Sequence, residues 1–357
     1  MFRKISEGDV YLHNKEGFSV SGSRTALLPG GRLICSFNAE SGSGVNDFVP
    51  MVCYSDNGTE WSEARVLWPE LVGKKSISAS VRNTADGRVC LAGIAFDIAC
   101  AGENWWSNEL GAMKDNYIVY SFSDDGITFT DPVFVKPLPG EACENPGGML
   151  VSKDGSFHAV YSPYPTVEAP GKADTCRLCV MHSYDNGKTF TCESAGETGA
   201  PSQYAEAWIV ELSGGKKVIG AWQTADPVHS DKYLLEGDNG KFGPVRDLPF
   251  SGQSLALTPT KDNGLIIVYN QRKEKDPGVW AAYLTGENGE LVLKENRPVW
   301  LASSTTKSSS SGDFSEWTDF SFGEPQLTVL PDGKLLTVLW YDQGSNTGIH
   351  YVITDGI

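Results

Sequence analysis

Six times along this chain a short apolar run meets a glycine-containing turn and a second apolar run follows at once. The turns fall at Gly30-Gly31, Asp86-Gly87, Asp154-Gly155, Gly214-Gly215, Asn263-Gly264 and Asp332-Gly333. Asp-Gly and Asn-Gly supply the positive φ that tight hairpin turns need. Counted between second residues, the intervals are 56, 68, 60, 49 and 69 residues. Six hairpins at this spacing are six copies of one sheet unit, and such copies close most simply into a ring. The spacing predicts an all-β, six-bladed propeller with four-stranded antiparallel blades. No Ser/Gly or Pro linker separates two cores, so residues 1–357 are expected to form one domain.

The sixth unit has chain for three strands only. The N-terminal run Val10-Tyr11-Leu12 is therefore expected to pair with Ile349–Ile353 and complete the last blade, hiding two edges that would otherwise template aggregation.

With 29 basic and 45 acidic residues the net charge is −16. A surface of that sign repels nucleic acid and anionic membranes. The N-terminus MFRKISEGDVYLHNKEGF has no apolar signal core, and no stretch approaches 18 apolar residues, so a cytoplasmic protein is expected. Reduced thiols are then expected at Cys35, Cys53, Cys90, Cys100, Cys143, Cys176, Cys179 and Cys192. On one strand Cys176 and Cys179 would point to opposite faces and could not share a metal. No nucleotide-loop, zinc or EF-hand motif occurs, and neither metal nor cofactor is expected.

A second turn recurs downstream of the hairpins. Ser183-Tyr184-Asp185-Asn186-Gly187-Lys188-Thr189-Phe190 fits S-x-D-x-G-x-x-[WF]. Tyr54–Trp61 and Phe122–Phe129 read as near matches with Asp56 and Asp124 at the acidic position, and remnants stand at 238–242 and 287–289. The acid can accept backbone N–H groups across the turn, so Asp56, Asp124 and Asp185 are read as clamps rather than catalysts. This motif resembles the Asp box (BNR repeat) of the non-viral sialidase superfamily.

Glycine turns and Asp boxes would share one face, leaving the opposite face for function. The inner-strand starts there read Arg24, Ser78, Glu144, Glu206, Gln253 and Glu324, a ring rich in carboxylates that looks like a polar ligand site. A paired, purely structural channel lining is the alternative. Trp105, Trp106, Tyr161, Tyr164, Tyr204, Trp222 and Tyr341 offer aromatic faces for sugar rings; Gln223 and His229 sit on a loop of the same face. The stretch 303–322 reads as a long loop before the last inner strand.

The resemblance implies three arginines that hold a substrate carboxylate, a Tyr–Glu nucleophile pair and an acid/base Asp. Ser23–Leu28 matches the first-arginine strand, with Arg24 as that arginine; Tyr204–Leu212 matches the strand carrying the Glu, which makes Glu206 its counterpart. Arg272 is a candidate third arginine, and Asp47 the only Asp on the acid/base loop. The second arginine is missing, and Glu324 stands where the nucleophilic Tyr belongs. Two-carboxylate glycosidase chemistry by Glu206 and Glu324, with Asp47 and Glu144 in reserve, is the expected activity, exo-acting on a small glycoside or oligosaccharide. Weak or no cleavage of ordinary sialosides follows. A non-catalytic carbohydrate-binding propeller and a uronate-glycan lyase are the alternatives. One of Glu206 and Glu324 is expected to hold its proton toward neutral pH.

Overall fold

A computed structural model describes residues 1–14, 18–197, 203–223, 231–272, 276–287, 289–303, 320–343 and 346–356. It is a six-bladed propeller. Blade 1 is built from Ser19–Leu27, Leu33–Glu40, Val49–Ser55 and Arg65–Val66. Blade 2 uses Lys75–Asn83, Val89–Asp97, Asn116–Ser123 and Val133–Val135. In blade 3 the inner strand is broken into Glu141–Glu144 and Met149–Val151, followed by Phe157–Pro165, Leu178–Ser183 and Thr191–Ala195. Blade 4 has Tyr204–Glu211, Lys217–Gln223, Lys232–Leu235 and Arg246–Asp247; blade 5 has Gln253–Pro259, Leu265–Gln271, Gly278–Glu287 and Glu290–Leu301. Blade 6 takes Phe322–Val329, Leu335–Gln343 and Asn346–Thr354 from the C-terminus, and Lys4–Asn14 as its outer strand. The N-terminal run pairs antiparallel with the last strand over its length, Tyr11 opposite Ile349, as the missing fourth strand required. No helix among the described residues is long and apolar enough to cross a membrane, which says nothing of crossing by strands.

The apolar residues lie between neighbouring sheets. Ile34 and Val52 of blade 1 meet Ile77 and Leu91 of blade 2. Cys90 and Ile118 of blade 2 meet Met149 and Phe157 of blade 3, and Val338 and Ile349 of blade 6 meet Cys35 and Phe37 of blade 1. Second strands such as Leu265–Gln271 are buried throughout because both of their faces are covered.

The hairpin turns share one hydrogen-bond pattern. Leu28, Thr84, Ser152, Leu212, Thr260 and Leu330 each donate to the carbonyl four residues on. They are thus three-residue turns whose last residue is left-handed, at Gly31, Gly87, Gly155, Gly215 and Gly333. In blade 5 that position is Asn263 (φ 65°), not Gly264, so the fifth repeat is one residue earlier than the dipeptide suggested.

The second class of turn also needs its register corrected. Asp185 is a clamp as expected: its Oδ1 accepts the Thr189 N–H at 2.9 Å and the Ser183 hydroxyl at 2.8 Å. In blades 1 and 2 the turn is one residue shorter. Asn57 accepts Thr59 and Glu60 N–H groups, and Asp125 accepts those of Ile127 and Thr128. Ser55 and Ser123 receive the glycine N–H at 2.8 Å in both. Asp56 instead pairs with Arg32 at 3.2 Å, so Asp56 and Asp124 are not the clamps. The aromatics Trp61, Phe129 and Phe190 pack into the inter-blade clusters. Tyr54 and Tyr120 then staple neighbouring blades by donating to the glycine carbonyls of the next turn, Gly126 and Gly187.

The cysteine expectation is overturned at one pair. Cys179 and Cys192 are joined by a disulfide between neighbouring strands of blade 3. Sequence spacing hides this contact because only the strand register, with Met181 opposite Cys192, brings the two together. Cys35, Cys53, Cys90 and Cys143 are buried free thiols.

Candidate active site in the central funnel

Four inner strands carry a bulge at the same height. The register slips between Ser21 and Arg24, Ala205 and Trp208, Gln253 and Ala256, and Gly323 and Gln326. The residue just inside each slip is left-handed: Gly22 (φ 66°), Glu206 (φ 53°), Ser254 (φ 51°) and Glu324 (φ 45°). Three non-glycine residues in this conformation, at equivalent positions around one axis, are local strain held by the surrounding sheets. The bulge re-aims these side chains at the funnel. In blade 3 the broken inner strand places Glu144 at the same mouth. In blade 2, Gly93 lies so close to the inner strand that a Cβ there would sit 2.1 Å from the Ser78 carbonyl oxygen.

A cavity of about 280 Å³ opens at this mouth, near the small end of the usual range for ligand sites. Glu144, Glu206, Glu324 and Glu40 line it, with Ser78, Ser80 and Ser254. Its walls include Phe18, Phe48, Trp105, Trp106, Tyr164, Trp222, Phe320 and Trp340. Carboxyl and hydroxyl groups thus stand beside aromatic walls, a composition suited to a sugar ring with hydroxyls and an apolar C–H face.

The carboxyls are tied to one another. Glu144 Oε2 accepts the backbone N–H of Glu206 at 3.0 Å and the Tyr164 hydroxyl at 3.4 Å. Glu324 Oε2 accepts the Gly22 N–H at 2.7 Å, and its Oε1 lies 4.0 Å from Arg24 Nη2. Burial, reinforced by the Glu206 charge, pushes Glu144 up to about 8. Burial and then the Glu324 charge push Glu206 up to about 7, against a hydrogen bond from Ser254 and the charges of Arg272 and Arg24. Glu40, 7 % exposed, is raised to about 8 by burial, partly offset by the Gly44 N–H at 3.2 Å.

The arginines are structural in their contacts. Arg24 is buried behind the cavity lining; its Nη1 donates to the Ser23 and Glu324 carbonyls, both at 2.7 Å. Arg272 does line the cavity, but Nη1 donates to Gln253 Oε1 at 2.9 Å and Nη2 to the Phe322 carbonyl, while its guanidinium lies over Phe320. Burial lowers the pKa of both arginines, Arg272 to about 10. Beneath them, Arg24 and Arg82 both face the ring of Trp208, at 5.2 and 5.9 Å.

Several candidates fall outside the cavity lining. Asp47 Oδ1 accepts the Ser41 N–H at 3.0 Å and does not line the cavity; Glu40, at the end of an apolar strand, does. Tyr204 is in the apolar cluster between blades 3 and 4. Gln223 and Tyr341 lose their places to Trp222 and Trp340, because alternate strand residues face opposite ways. The Tyr341 hydroxyl donates to Asp9 Oδ1 at 3.2 Å. Gln253 lies one residue before the bulge position that Ser254 occupies, and serves Arg272 instead. Trp105, Glu144, Glu206, Glu324 and Arg272 are brought together at the cavity. His229 and residues 304–319 of the 303–322 loop lie outside the described residues. Glu40, Ser254, Trp340 and Asp342 were missed. An acidic residue closing the apolar strand Leu33–Glu40 was the available signal for the first. Among the described residues no group of three or more His, Cys, Asp or Glu is placed to hold a metal.

No family model and no curated protein matches the sequence. Solved structures match its fold. A protein of unknown function from Dyadobacter fermentans superposes with a TM-score of 0.73 at 15% identity, over 99% of both chains. An α-L-arabinanase from Penicillium chrysogenum, solved with arabinobiose, gives 0.65 at 14% identity, over 99% of this chain and 98% of that one. The NanB sialidase of Streptococcus pneumoniae gives 0.61 at 12% identity, over 99% of this chain and 70% of that one. The chain therefore has the propeller fold that also serves sialidases and arabinanases.

Proposed function

We propose that this chain is a glycoside hydrolase, exo-acting on a small glycoside or oligosaccharide, built on a single propeller domain of the Asp-box type. The observation that carries the reading is the convergence of Glu144, Glu206 and Glu324 on one aromatic-walled cavity, two of them on strained bulges. Glu206 is the acid: its raised pKa keeps a proton available near neutrality for the leaving oxygen. Glu324, fixed by the Gly22 N–H and faced by Arg24, is the carboxylate that attacks the anomeric carbon or activates water. Glu144 holds the Glu206 backbone in its bulge.

A tyrosine nucleophile is disfavoured. Tyr164 is the one tyrosine among the described lining residues, and burial pushes its pKa well up. It positions Glu144. The fold neighbours, a sialidase and an arabinanase by description, agree with carbohydrate as ligand. The test is turnover of an aryl-glycoside panel by the wild type, Glu206→Gln and Glu324→Gln. Hydrolysis of one glycoside, lost in both variants, supports the assignment; equal rates in all three refute it. Release of an unsaturated product absorbing in the ultraviolet would instead favour the lyase.

A further inference from the structure

Resting on the glycosidase reading and deepening it, we propose that the cavity takes a sugar with no acidic group, neutral or amine-bearing, with Glu40 as one determinant of that choice.

Acidic side chains outnumber basic ones among the described residues of the wall. Among the described residues, Glu40, Glu144, Glu206, Glu324 and Asp342 line the cavity against one cation, Arg272. Both Nη atoms of that guanidinium donate to protein oxygens, and an aromatic ring covers its face. Arg24 is outside the lining and donates to two carbonyls; Arg82 donates to the Gly147 and Ile209 carbonyls. A ligand carboxylate needs a planar fork of donors directed at it, and both Nη atoms of Arg272 and of Arg82, and Nη1 of Arg24, already donate to protein oxygens. It would also add a negative charge to carboxyls that already crowd one another in a buried space. The net charge of −16 repels an acidic sugar further before it arrives. A hydroxyl or an ammonium group, by contrast, finds acceptors on several sides. Among the described residues Glu40 stands in this ring without a cationic partner and with one hydrogen bond, from the Gly44 backbone, so it contributes to selection rather than to holding the fold.

The test is binding of matched sugars to the full chain, read by calorimetry and tryptophan fluorescence. The pairs are D-glucose with D-glucuronic acid, D-galactose with D-galacturonic acid, and the methyl ester of N-acetylneuraminic acid with the free acid; L-arabinose and D-glucosamine complete the set. We expect the uncharged or amine-bearing sugars to bind at least about 10-fold tighter than any acid. In Glu40→Gln the gap within a pair, measured above pH 8 where Glu40 is ionised, should narrow by at least about 3-fold. An acid that binds the wild type as tightly as its uncharged partner overturns the proposal while leaving the glycosidase reading in place. A gap unchanged by Glu40→Gln overturns the role of Glu40. Failure of every sugar to bind, charged or not, overturns the carbohydrate reading itself.

Discussion

The backbone N–H of Glu206 donates to Oε2 of Glu144 across 3.0 Å, tying the inner strands of blades 3 and 4 where their carboxyls enter the funnel. One carboxylate thus supports the strained backbone that aims the other (Glu206 φ 53°). The two are expected to separate kinetically. Glu206→Gln should cost about 10²-fold or more in kcat, with partial recovery on substrates whose leaving group needs no protonation. Glu144→Gln should lower activity without that leaving-group signature. Equal sensitivity of both variants to the leaving group would place the acid wrongly.

Ser254 offers a finer probe of the same acid. Its hydroxyl bonds to the Glu206 carboxyl and favours the ionised form, opposing burial. Ser254→Ala removes that support, so the Glu206 pKa should rise further above about 7. The alkaline limb of the kcat/KM profile is expected to move to higher pH. A limb that stays put, or moves down, would show that a different group titrates there.

Stability should fall as pH rises across the neutral range. Glu40 and Glu144 hold protons in the folded state to about 8, whereas in the unfolded chain they ionise near 4.5. Between these values the native state binds more protons, so the contribution present below pH 4.5 is lost as pH rises toward 8. The melting temperature of the wild type should decline from pH 5 to pH 8, and Glu40→Gln should flatten part of that slope. Calorimetric scans at four or five pH values decide it.

The corrected turn register makes a pairwise prediction. Asn57→Ala and Asp125→Ala each remove an acceptor of two backbone N–H groups and should lower the melting temperature. Asp56→Ala and Asp124→Ala should leave it nearly unchanged. The reverse order would restore the register first read from the sequence.

Removing residues 1–14 would strip the outer strand from blade 6, exposing the edge of Asn346–Thr354 along with apolar neighbours of Phe2 and Val10. Loss of thermal stability and concentration-dependent association are expected, read by calorimetry and size-exclusion chromatography. A truncated chain that melts like the parent would mean that the closing strand contributes little.

By itself the sequence determined the blade count, the hairpin turns and the N-to-C closure, because these follow from local turn chemistry and from counting strands within a repeat. It also placed Glu206 and Glu324 near inner-strand starts, whereas Glu144 ends the first piece of a broken inner strand. Strand alternation is a local rule, yet it failed at Tyr204, Gln223 and Tyr341, because the bulges and the exact loop ends set its phase. Whether a side chain reaches the funnel depends on a left-handed residue such as Glu206 or Glu324, which no propensity favours and only the packed sheets impose. The sequence likewise could not show that Arg24 and Arg272 each donate to a carbonyl of blade 6, or that Glu40 rather than Asp47 lines the cavity. Those facts join residues up to 300 positions apart, and only ring closure brings such residues within reach of one another.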